Sequence, residues 1–136
     1  MELNASHQRI LSEGMPKLWN RIVACLRATM ENCEIKGITS TFATPTTDSV
    51  RVSIFGTHSA VPRAIMDVRF NPEDYKIECF FPVPSGAFPA RALFFTVTGG
   101  RVSLREGAEP LPDDEGNNVA EVVCQRLLEP LLRLLI

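Results

Sequence analysis

Two histidines (His7 and His58) and four cysteines (Cys25, Cys33, Cys79 and Cys124) are the side chains of this 136-residue chain best suited to acid–base, nucleophilic or metal chemistry. Catalysis needs such groups to converge in a polar cleft. His58 stands in Gly56-Thr57-His58-Ser59, next to a hydroxyl. Neighbours in sequence need not meet, and no third group that would orient the histidine is identifiable, so the pair makes no triad. His58 reads as a solvated loop residue, and His7 lies near the N-terminus. No cysteines form a Cys-x-x-Cys pair, and two scattered histidines do not complete a zinc set. Cys25 and Cys33 are about 12 Å apart along a predicted helix, too far for a disulfide. The cysteines read as buried free thiols of a reducing cytoplasm. Gly99-Gly100 has no following helix of the kind a phosphate loop needs. The acidic run Asp113, Asp114, Glu115 lacks EF-hand spacing. No metal or cofactor is expected, and an enzyme ranks below binding functions.

Length and charge narrow the classes further. A chain of 136 residues fits one domain, 1–136, and buries enough surface to dispense with disulfides or metal. A net charge of −2 gives no push towards nucleic acid or anionic membrane. The N-terminal stretch MELNASHQR is polar, unlike a signal peptide, and no apolar run reaches the roughly 20 residues of a membrane span. A cytoplasmic protein is expected.

The elements that must position any site begin with the last stretch, Asn118 to Ile136. At about 100° per residue, Ala120, Val123, Cys124, Leu127, Leu128, Leu131, Leu134 and Leu135 share one broad face, with Val119 and Pro130 at its edge. Glu121, Gln125, Arg126, Glu129 and Arg133 gather opposite. Asn118 and Glu121 have capping-box spacing, and Glu129 and Arg133 are spaced for an ion pair. Pro130 removes a hydrogen bond and crowds the Arg126 carbonyl, at a cost of about 3 kcal/mol. A kink, or a new helix starting there, is expected. Val122, Leu132 and Ile136 project among the charged residues, where the domain's own core has no use for them.

At the other end, residues 5–13 predict a short helix, interrupted by Gly14, Met15 and Pro16. A second helix starts at Pro16, whose missing N–H is harmless in a first turn. Its apolar face is Met15, Leu18, Trp19, Ile22, Val23, Leu26, Met30 and Cys33, and Gly37 supplies the stop. Alternation then predicts strands at 38–44, 49–55, 63–70, 75–81, 91–98 and 101–106. Asn71-Pro72-Glu73-Asp74 has type I turn chemistry and would pair Phe70 with Tyr75, Val68 with Ile77 and Met66 with Cys79. Gly99-Gly100 suits a two-residue hairpin, pairing Val97 with Val102 and Phe95 with Leu104. Residues 107–117 read as a linker.

Helix, six strands, helix is an α+β order. A sheet with one apolar face must bury it, and only the two amphipathic helices can do so. The expected architecture is a two-layer fold: a six-stranded, mainly antiparallel meander with both helices on one face. The outer face then carries Arg51, Arg63, Arg69, Lys76, Arg101 and Arg105, with Asp67 and Glu78, around Phe55, Ile65, Phe80 and Phe94. Aromatics among arginines can stack bases, but no RNA-binding signature accompanies them. The two stronger readings are arginine stems covering apolar groups and a protein-binding surface.

The function expected is therefore a non-enzymatic, protein-binding or self-associating module, a homodimer in its simplest form. Val122, Leu132, Ile136, Phe55, Ile65, Phe80 and Phe94 are the candidate interface. The alternative is a small apolar ligand lodged between sheet and helices beneath the 82–90 loop, although large residues such as Trp19, Phe70, Phe81 and Phe95 compete for that space.

Overall fold

The computed structural model describes residues 5–32, 37–111 and 119–135. Cys33, the acidic run from Asp113 to Glu115, Asn118 and Ile136 lie outside the described residues, as does the side chain of Leu135. The chain is an α+β fold: helix α1 (Ala5–Glu31), a meander of β1 (Ile38–Thr46), β2 (Ser49–Gly56), β3 (Pro62–Asn71), β4 (Lys76–Val83), β5 (Arg91–Thr98), β6 (Arg101–Glu106) and β7 (Glu109–Pro110), then helix α2 (Val119–Leu135). The strands form one antiparallel sheet in sequence order.

Alternation decides which face is buried. Val50, Val52 and Ile54, then Ala64, Met66, Val68 and Phe70, then Ile77, Cys79 and Phe81, all turn inward. They join Leu93, Phe95 and Leu104 and the inner sides of both helices in a single core. Trp19 of α1 stacks on Phe70, with ring centres 5.6 Å apart, and Phe70 meets Phe95 edge-on at the same separation. The Trp19 indole N–H, which needs an acceptor when buried, donates to the Thr47 carbonyl at 3.0 Å.

Four expectations are corrected. First, α1 runs unbroken through Gly14 and Pro16. A Cβ on Gly14 would stand 2.4 Å from Val102 Cγ2, so the glycine permits close approach of helix to sheet and does not break the helix. Pro16 is exposed, and Leu11, Met15, Leu18 and Trp19 are buried on either side of it. At roughly 1.5–3 kcal/mol each, those side chains outweigh a proline cost of about 3 kcal/mol.

Second, the sheet has seven strands among the described residues. The reading of 107–117 as linker missed β7. Gly107, at φ 61°, turns the chain back. Leu111, 3% exposed, is tied in by its N–H to the Leu104 carbonyl at 2.9 Å.

Third, the β3–β4 register is displaced by two residues. Phe70 faces Ile77 and Val68 faces Cys79. Asn71 stays in the strand and the loop is 72–75, closed by Tyr75 at φ 55° and by the Asn71 Oδ1 accepting from the Asp74 N–H at 3.2 Å. A shift of two leaves every side chain on its original face, so the core is unaffected.

Fourth, α2 continues as one helix through Pro130, so no second helix starts there. The Gly99-Gly100 hairpin matches expectation: both residues have positive φ, and Val97 faces Val102 while Phe95 faces Leu104. Among the described residues no helix is long and apolar enough to cross a membrane.

Candidate functional site

Helix α2 carries the surface in question, and the sheet holds that helix in a defined position. Arg91 begins β5 on the inward-facing side of the strand, two positions before Leu93. Its Nε and Nη2 donate to the Glu106 carboxylate at 2.8 and 2.9 Å. Its Nη1 donates to the Arg126 carbonyl at 2.5 Å. In an α-helix that carbonyl would accept from the residue four positions on. Here that residue is Pro130, which has no N–H. The guanidinium therefore replaces the missing donor. Arg126 closes the cluster with Nη1 3.5 Å from Glu106. The bidentate bond from Arg91 holds the Glu106 carboxyl below the usual carboxylate range, aided by the charges of Arg91 and Arg126. Sequence reading noted Arg91 only as the start of a strand. The available signal was a charge at an inward position of the 91, 93, 95, 97 alternation.

Inside this anchorage, Val123, Cys124, Leu127, Leu128 and Leu131 are buried. Outside it, Val122, Gln125, Arg126, Glu129 and Leu132 line one shallow groove. The spacing is that of a helical ridge. Leu132 is 38% exposed, so its side chain points away from the core although its neighbour Leu131 is buried, and Val122 is half-buried. Glu129 and Arg133 form an ion pair at the rim, and Arg126 is held by Glu106. Charges of both signs thus stand around the apolar positions.

The outer face of the sheet is more self-contained. Arg51 grips Asp67 with two hydrogen bonds of 2.7 and 2.8 Å. Arg69 lies over the Phe80 ring, 5.8 Å from its centre. Lys76 and Glu78 pair at 4.0 Å. Phe55, Ile65 and Phe80 are half-buried. Phe94, 36% exposed, sits between its cross-strand neighbours Lys76 and Arg105. Arg51 binds an acid and Arg69 covers a ring of their own sheet, and Phe94 is the most open of the four apolar residues.

The 82–90 loop closes over its own apolar contact, with Phe88 edge-on to Phe81 at 5.1 Å. A depression of about 410 Å³ lies at the opposite end of β4 and β5, between Leu11, Tyr75, Phe94 and Val97.

His7 lines the depression with Asp74 and Tyr75, whereas His58, Ser59, Cys79 and Cys124 lie apart on other elements. His58 is exposed at φ 60° in the β2–β3 loop. The Ser59 hydroxyl is committed to Val61, accepting from its N–H at 3.2 Å and donating to its carbonyl at 3.1 Å. Burial pushes the Cys79 thiol up to about 12, against the opposing charge of Arg91. Burial also raises Cys124, against its hydrogen bond with Thr29 at 3.5 Å. Both thiols are thus poor nucleophiles at neutral pH. Among the described residues no group of three His, Cys, Asp or Glu is placed to hold a metal ion. No family model, curated protein or solved structure matches the chain.

Proposed function

We propose that the protein is a non-enzymatic protein-binding module whose partner docks on the outer ridge of α2. The observation that carries this reading is the exposure of Leu132, 38%, on a helix whose other side is already buried. Val122 lies on the same ridge, and together they give apolar contact at helical spacing. A surface of this kind fits an amphipathic segment whose own apolar residues recur three and four apart. The two signs of charge at the rim, Glu129 with Arg126 and Arg133, set its direction. Arg126 is already held against Glu106, which lowers the cost of ordering it on binding.

A photo-crosslinking residue at Gln125, in the middle of the groove, tests the reading in extract of the protein's own host. One discrete adduct is expected, lost when Val122→Glu and Leu132→Glu are added. A yield no greater than that from the same probe at exposed Ala28 would sink the reading.

A further inference from the structure

The sheet has two edges, and they are built differently. At one edge β7 is two residues long, a glutamate and a proline. Shortness, charge and proline are three separate ways of blunting an edge against further pairing. At the other edge β1 is nine residues long, ITSTFATPT, with no charged side chain. Its inner side pairs with β2 from Ile38 to Ala43 in unbroken register. No strand pairs with its outer side among the described residues. A free edge of this kind presents a row of backbone N–H and C=O groups whose natural complement is another β-strand.

The side chains of β1 say which strand. Ile38 and Phe42 face the helix layer and are partly buried against the core. Arg27 of α1 lies over the Phe42 ring at 5.1 Å. Thr39 and Thr41 face the other way and are exposed. In an antiparallel pair, residues directly opposite share a face. A twofold axis relating two copies must therefore pass through a residue, not between residues, if the helices are to stay on one side. An axis at Ser40 places Ile38 of each copy opposite Phe42 of the other, and Thr39 opposite Thr41. On the helix side two apolar pairs flank a central Ser40 pair, hydroxyl meets hydroxyl outside, and no charges are opposed. Gly37 at φ 81° and the irregularity between Ala43 and Thr46, which includes Pro45, bound the match at both ends.

We propose that the protein forms a twofold dimer by antiparallel pairing of β1 with β1 of a second copy, centred on Ser40, which joins two sheets into one. The proposal is independent of the α2 ridge, and the dimer leaves both ridges open.

The test is charge exchange at the outward positions, read by sedimentation under reducing conditions. The wild type is expected to be dimeric. Thr39→Lys with Thr41→Lys opposes like charges at both symmetry-related pairs and should weaken the dimer on the order of tenfold or more. Thr39→Glu with Thr41→Glu should do the same. An equimolar mixture of the two variants should recover a dimer, now mixed, and that gain also shows that both chains are folded. Val122→Glu with Leu132→Glu should remain dimeric. A monomeric wild type, variants that dimerise as well as the wild type, or a mixture that stays monomeric overturns the proposal. Loss of the dimer in the α2 variant alone would assign self-association to the ridge and leave the protein-binding reading standing.

Discussion

The Arg91 guanidinium donates to the Arg126 carbonyl at 2.5 Å, the acceptor that Pro130 deprives of its helical partner. A residue at the start of a strand thus repairs a defect in a helix 35 positions away and ties that helix to the sheet by the same bond. Replacing Arg91 with methionine keeps the stem and removes the donors. The loss is expected to be about 1–3 kcal/mol, the range for a buried acceptor left unsatisfied. In a Pro130→Ala background the alanine N–H supplies the bond, so the same substitution should cost less. A double-mutant cycle from urea unfolding measures the difference. Equal costs in both backgrounds would mean the two residues are not coupled.

Glu106 predicts an acid dependence. Its folded pKa is depressed by Arg91. A depressed carboxylate contributes stability above its unfolded value of about 4.3, and that contribution is lost as pH falls through the folded value. Glu106→Gln should therefore be less stable than the wild type at pH 7, with the gap narrowing below about pH 4. Urea midpoints across the acid range check this. A gap independent of pH would contradict it.

Gly14 should tolerate no side chain. On propensity alone Gly14→Ala would stabilise a helix by about 0.5–1 kcal/mol. The added Cβ would meet Val102 Cγ2 at 2.4 Å, and overpacking costs about 1–3 kcal/mol. Thermal melts should show a net loss, partly recovered by Val102→Ala.

The β5–β6 hairpin depends on Gly99 and Gly100, at φ 60° and 77°. Valine at both positions forces β-branched residues into the left-handed region, at a cost on the order of 1–3 kcal/mol each. An unchanged denaturation midpoint would contradict the turn assignment.

Leu127 is fully buried. Leu127→Ala should lose about 2–5 kcal/mol by transfer and cavity terms together. A shift of a few tenths would mean that α2 is not a core element.

The faces of the elements were legible because side-chain direction follows local periodicity. The buried side of α2, the inward residues of β2, β3 and β4, and the Gly99-Gly100 register follow from spacing alone. The β3–β4 register was not, since a two-residue shift preserves the alternation, and the observed register goes with a positive φ at Tyr75. Proline and glycine punctuation misled in α1, where the proximity of Val102 to Gly14 and the burial around Pro16 outweigh local propensity. The ridge residues Val122 and Leu132 could be named from the sequence. Their polar surround could not, because Arg91, Glu106 and Arg126 are far apart in the chain and meet only once sheet and helix pack. The outer side of β1 is the clearest case. Its composition is written in nine residues, but that it ends the sheet is a property of strand order, which only the tertiary structure decides.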